Sequence, residues 1–171
     1  MRDEVICSVC GKTHPQDASE LAFGLPDEIF EFSEEERTQR CTISDDVCAI
    51  DRERFFIRGL LPMPVNGRTL VYRIGIWAEV SVEVYRRIYQ LWTDPNQADE
   101  PHLPGAVANQ LPLQTQNVRA LPISIKLIGP KSRPEFFVQS QEHSLYREQI
   151  NGIDEHRALE YTDQGFHSAH R

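Results

Sequence analysis

No apolar run in this 171-residue sequence approaches the roughly 20 residues that a helix needs to cross a bilayer, so no membrane-spanning helix is expected. Positive charge is scarce too: 18 lysines and arginines stand against 26 aspartates and glutamates, and the formal net charge is -8. Proteins that bind nucleic acid gain most of their affinity by neutralising phosphates with basic side chains, and a chain without a dense basic run is poorly made for that. The phosphate-cradling Gly-x-x-x-x-Gly-Lys-Ser/Thr, the dinucleotide Gly-x-Gly-x-x-Gly, the nucleophile elbow Gly-x-Ser-x-Gly and the zinc-protease His-Glu-x-x-His are all missing, which lowers nucleotide-dependent and standard hydrolase chemistry. Internal repeats, low-complexity tracts and linker-like stretches are absent as well. Met1-Arg2-Asp3-Glu4 leads into the chain with neither an apolar stretch nor a small-residue cleavage site, so a cytoplasmic protein is expected, with its four cysteines reduced.

What is there reads as one domain, long enough to bury a core without disulfides. Residues 54–161 are expected to form an α+β body, residues 1–53 a metal knuckle and acidic segment packed on it, and residues 162–171 a frayed tail. The negative charge is concentrated. Ten acids between Asp27 and Glu53 face only Arg37, Arg40 and Arg52, a balance of -7. That band serves either as a solvated surface or as the face offered to a basic protein partner.

The sharpest chemical signal lies in Cys7-Ser8-Val9-Cys10-Gly11-Lys12-Thr13-His14. Two residues between thiols let both sulfurs turn to one point, and the following glycine eases the tight turn, so tetrahedral zinc is the natural ligand. His14 is close enough to supply a third ligand. Cys48 is the choice for the fourth and Cys41 the reserve; six residues separate these two, so both could join one ion only if a loop lay between them. Thioredoxin-like redox chemistry fits less well, because no helical pattern follows Cys10.

Local signals place the other elements. Ser33 and Glu36 have the form of a capping box, which predicts a short acidic helix from Glu34 to about Gln39, followed by extended chain from Cys41 to Ile50. Asn66-Gly67 between two apolar runs predicts a long hairpin over Arg54 to Val80, with a two-residue turn and Val65 opposite Arg68. In that register Ile57 faces Ile76 and Leu61 faces Tyr72 on a core side, while Phe56 faces Trp77 and Leu60 faces Arg73 on a mixed side. Pro62 and Pro64 predict that the first strand is an edge at that end. Ser81 is expected to cap a helix from Val82 to Trp92, Asp94 to Gly105 to be a loop, and Val118 to Ile128 and Glu135 to Gln139 to be strands. A helix from Ser144 to about Ile150, stopped by Asn151-Gly152, and a short one ending near Tyr161 complete a mostly antiparallel α+β fold.

Arg58 and Arg73 become diagonal neighbours in this register, a fork for a carboxylate or phosphate, although pairing with Asp45, Asp46 or Asp51 is the more ordinary use of such arginines. His143, with Glu142 beside it, is the best lone candidate for proton transfer; capping the following helix is its commoner role.

Cys7-Ser8-Val9-Cys10-Gly11-Lys12-Thr13-His14, Asp46-Val47-Cys48-Ala49-Ile50-Asp51, Phe56-Ile57-Arg58-Gly59, Gly75-Ile76-Trp77-Ala78-Glu79-Val80-Ser81, Arg133-Pro134 and Glu142-His143-Ser144-Leu145 together resemble an uncharacterised bacterial family, domain of unknown function 2199, over nearly the whole chain. The resemblance implies a single bacterial cytoplasmic domain, with Cys7, Cys10, Cys48 and His143 inside family motifs and Cys41 outside them. Gln110-Leu111-Pro112-Leu113 departs from the family pattern, so no role carries over there. Two functions compete on this reading. One is a non-enzymatic interaction or regulatory module with a structural zinc; the other is a metal-dependent enzyme with an open zinc position and His143 as the proton-transfer group.

Overall fold

The computed structural model describes residues 4–6, 11–15, 20–69 and 71–167. A short antiparallel hairpin comes first: β1 (Glu4–Ile6) pairs with β2 (Thr13–Pro15), Ile6 opposite Thr13 and Val5 opposite His14. Two short helices follow, α1 (Asp27–Glu31) and α2 (Glu34–Arg40). The capping box forms as expected: the Glu36 amide donates to Ser33 Oγ at 3.2 Å and the Ser33 amide donates to Glu36 Oε2 at 2.8 Å. The Ser33 amide, and then the Ser33 hydroxyl, also hold the Glu36 carboxyl below its ordinary pKa.

Seven strands then make one sheet in chain order: β3 (Cys41–Ile43), β4 (Val47–Ile50), β5 (Arg54–Pro64), β6 (Val71–Val80), β7 (Leu103–Val107), β8 (Pro122–Lys126) and β9 (Glu135–Val138). The last five curl until β9 meets β5 in parallel at Leu60 and Glu135, closing a five-stranded barrel. Alternation along the strands sends Ile57, Leu61, Met63, Ile74, Ile76, Ile123, Ile125, Phe136 and Val138 inward, all nearly inaccessible to water. Helix α3 (Val82–Leu91) follows β6, capped by Ser81, whose Oγ accepts from the Val84 amide. Helices α4 (Ser144–Asn151) and α5 (Glu155–His167) end the described chain.

The β5–β6 hairpin differs from the expected register by two residues. Phe56 pairs with Glu79, Arg58 with Trp77, Leu61 with Ile74 and Pro62 with Arg73, so each side chain keeps its face while its partner changes. The cause is local. Val65 and Asn66 leave the ladder to meet Ile153: the Asn66 amide donates to Ile153 O and the Ile153 amide donates to Pro64 O, both at 2.8 Å. The ladder therefore closes at Pro64 and Val71. A β-turn survives inside the longer loop, with the Arg68 amide bonded to Val65 O at 3.1 Å, but only Gly67 takes a positive φ (81°), the type II pattern and not the mirror-image turn expected of a two-residue hairpin. On the side away from β6, the Pro-containing end of β5 has no neighbour among the named strands beyond Leu60. Gln149 of α4 covers it by donating to Pro62 O at 3.2 Å.

Three further expectations need correction. The proline-rich stretch after α3 is not all loop, because β7 runs through Pro104 and Gly105; both pair with β8, at Ser124 and Ile123. The strand expected from Val118 to Ile128 is confined to Pro122–Lys126. The tail expected from residue 162 is helical as far as His167, where the described residues end. Tyr161 and Thr162 are buried there, and Thr162 Oγ1 shares a 2.8 Å hydrogen bond with Tyr72 OH, which ties the helix to the barrel.

A second apolar layer covers the outer face of β4–β6. Trp77 and Phe56 lie on that face, enclosed with Leu21, Phe23, Ile29 and Ile50, and Trp77 Nε1 donates to Phe23 O at 3.1 Å. Asn109, itself fully buried, pins this layer: its Oδ1 accepts from the Trp77 amide at 2.9 Å, and its Nδ2 donates to Leu25 O at 2.9 Å and to Asp27 Oδ1 at 2.8 Å.

Candidate functional site

Cys7 and Cys10 lie outside the described residues, as does the side chain of His14; the backbone of His14 belongs to β2. Among the described residues no group of three His, Cys, Asp or Glu side chains stands close enough to hold a metal ion. Cys48 and Cys41 are free thiols in adjacent strands. Cys48 pairs with Ile43 and Cys41 with Ile50, so the β3–β4 turn sets the two sulfurs diagonally on one face of a hairpin. Cys48 is 2% exposed, and burial pushes its thiol up to about 12; Cys41, partly exposed, is raised less, also by burial.

His143 is the N-cap of α4. Its Nδ1 accepts from the Leu145 amide at 3.0 Å, and Nε2 lies 3.0 Å from Asn117 O, an acceptor only, so the imidazole is neutral with its proton on Nε2. Both ring nitrogens are thereby committed to backbone. Glu142 is exposed, and its carbonyl accepts from Arg147 Nη2 at 3.3 Å.

The register separates Arg58 from Arg73. Their cross-strand partners, Trp77 and Pro62, place them four residues apart on one face, about 13 Å along the strand, so they are not diagonal neighbours. Arg58 lies over the Trp77 ring at 5.9 Å, and its Nη1 reaches Asp45 O at 3.4 Å. Its Nε is buried and has no hydrogen-bond partner. Burial, and then the charge of Arg133, hold the Arg58 pKa below its ordinary value, against the pull of Asp46 and Asp45. Asp46 in turn accepts from Arg133 Nε at 2.9 Å. Asp51, the third counter-ion considered, pairs with Arg40 at 2.7 Å.

Much of the acidic band is used internally. Glu28 pairs with Arg54, Glu31 with Arg119 at 2.9 Å, and Asp27 accepts from Asn109 and from the Gln110 amide. Glu34, Glu35, Asp45 and Glu53 remain exposed, with no ion pair among the described residues.

Two features escaped the sequence reading. One is a half-buried polar cluster around Tyr161, whose OH donates to Glu148 Oε2 at 2.6 Å and accepts from Gln114 Nε2 at 2.7 Å, while Arg157 pairs with Glu148 at 2.8 Å. Burial, then the bond to Glu148, push the Tyr161 hydroxyl well above its ordinary pKa. The other is a cleft of about 620 Å³ lined by Asp46, Leu60, Arg73, Trp92, Ile128, Lys131, Ser132, Arg133 and Glu135. The Lys131-Ser132-Arg133 run was its only sequence trace, and Arg133-Pro134 there signals only the entry to a strand.

These features define an α+β domain built on a closed five-stranded barrel, with a second apolar layer outside it and a charged cleft in its wall. The chain belongs to the family described as an uncharacterized protein conserved in bacteria, DUF2199, whose model matches residues 6–153. No match was found among the curated proteins or among the solved structures. No helix among the described residues is long and apolar enough to cross a membrane.

Proposed function

We propose that this protein is a non-enzymatic cytoplasmic module that acts by binding a protein partner, with a structural zinc ion held by Cys7, Cys10, His14 and Cys48. The supporting observation is the β1–β2 pairing: Ile6 lies opposite Thr13 and Val5 opposite His14, so the residues that flank the Cys-x-x-Cys motif in sequence stand side by side. A zinc knuckle turns two sulfurs toward one ion by folding its chain back, which brings its flanks together. Gly11, with φ of 70°, supplies the left-handed residue after the second cysteine. Cys48 is held protonated by burial in the metal-free chain, and zinc would take the place of that proton.

The non-enzymatic reading draws support from His143, whose two ring nitrogens are occupied in capping α4 and anchoring Asn117. A basic partner would meet the exposed carboxylates of Glu34, Glu35, Asp45 and Glu53, the part of the acidic band not consumed inside the fold. Elemental analysis of the full chain, purified without an affinity tag, tests the metal: one zinc per chain is expected, and none in the Cys7→Ser/Cys10→Ser double variant. Binding of basic candidate proteins, measured for the native chain and for Glu34→Lys/Glu35→Lys, tests the partner surface. A metal-free chain whose melting temperature ignores the cysteine substitutions contradicts the proposal.

A further inference from the structure

Three cations, Arg73, Lys131 and Arg133, line the cleft with two carboxylates, Asp46 and Glu135. Arg133 spends its Nε on Asp46, and the charges of Asp46 and Asp45 also act on the half-buried Arg58. Arg73 and Lys131 remain, with Glu135 as the one other carboxylate in the lining. The Glu20 carboxylate accepts from the Arg73 backbone amide, while among the described residues no carboxylate pairs with the Arg73 guanidinium or the Lys131 ammonium. The Arg73 guanidinium makes one long contact, from Nη1 to Val71 O at 3.4 Å, Lys131 makes none, and the terminal nitrogens of Arg133 have no acceptor. Glu135 and Glu20 offset much of this charge, but they leave the guanidinium donors of Arg73 and the terminal nitrogens of Arg133 unused. On a chain of net charge -8, a cavity that gathers three cations and keeps guanidinium donors unused is a place where an anion can be held.

The rest of the lining limits what that anion carries. Leu60, Trp92 and Ile128 contribute apolar surface, and the Ser132 hydroxyl, in the turn closed by the Ser132 amide on Gly129 O at 3.1 Å, is a spare polar group. Apolar surface with a few convergent polar groups is the usual make-up of a small-molecule site.

We propose that this cleft binds a small organic anion, a phosphate or carboxylate borne on an aromatic or aliphatic group, with Arg73, Lys131 and Arg133 holding the anion and Trp92, Leu60 and Ile128 the apolar part. The cleft shares no residue with the zinc ligands, so either idea can fail without the other.

Titration of the ¹⁵N-labelled full chain with phenyl phosphate, benzoate and inorganic phosphate, followed by NMR, tests it. Saturable shifts of the Trp92 indole and the Ser132 amide are expected, while the Trp77 indole, enclosed and bonded to Phe23, stays still. Phenyl phosphate or benzoate should bind more tightly than inorganic phosphate, and whichever of the two is tighter identifies the anionic group. Arg73→Ala and Lys131→Ala should each weaken binding about tenfold, the loss expected for a charged hydrogen bond. Absence of saturable shifts with all three anions, or affinities unchanged in both variants, overturns the proposal.

Discussion

Gly59 of β5 lies against the ring of Phe136 of β9, so closely that a Cβ at position 59 would come within 2.7 Å of Cε2 and nearer still to Cζ and Cε1. The two strands make their closing contact at the adjoining residues Leu60 and Glu135, so the barrel shuts where β5 lacks a side chain and the Phe136 ring fills the gap. Gly59→Ala should therefore destabilise the fold by about 1–3 kcal/mol through overpacking. Adding Phe136→Leu should recover part of that loss. Chemical denaturation of the two single variants and the double variant reads the coupling; strictly additive losses would show that the contact is not what closes the barrel.

Asn109 joins three pieces of chain with one side chain. Asn109→Ala leaves the Trp77 amide and the Leu25 carbonyl without their partners in a covered layer, an expected loss of about 3 kcal/mol. Asn109→Asp should be no better, because a second carboxylate would face Asp27 Oδ1. Retention of full stability by the alanine variant, in thermal or denaturant unfolding, would show that the second layer is not pinned there.

Cys48 should resist a thiol reagent at neutral pH in the folded chain and react only on unfolding, while Cys41 reacts sooner. In zinc-stripped protein the raised thiol also gives a pH dependence with a definite sign. Its pKa in the fold, about 12, stands above the ordinary 9.0, so its contribution to stability is full below about pH 9 and is lost as pH rises toward 12. Cys48→Ala should flatten stability over that window relative to the native chain. Identical alkaline profiles for the two would place the thiol in contact with water.

The parts of the fold legible in the sequence were those set by local chemistry. Ser33 with Glu36 and Ser81 before Val82 marked helix starts, because a cap is made within four residues. The alternation in β5 and β6 assigned inner and outer faces correctly, since a shift of two residues preserves them. The shift itself comes from Ile153, about ninety residues away from Val65, and no turn rule contains it. β7 was hidden because Pro104 and Gly105 read as loop residues; Pro104 sits with its side chain in solvent, and Gly105 passes close under Ile125. For the candidate sites, the capping use of His143 was readable from its place before a helix. The separation of Arg58 from Arg73 was lost with the register, and the cleft joins Arg73 to Lys131 and Arg133 only through the tertiary fold.

X-ray absorption at the zinc edge on the purified full chain tests the central claim most directly. The account predicts one zinc per chain with three sulfurs at about 2.3 Å and one nitrogen at about 2.0 Å, matching Cys7, Cys10, Cys48 and His14. Protein that carries no zinc, or a zinc ion surrounded by oxygen and nitrogen without sulfur, would contradict it.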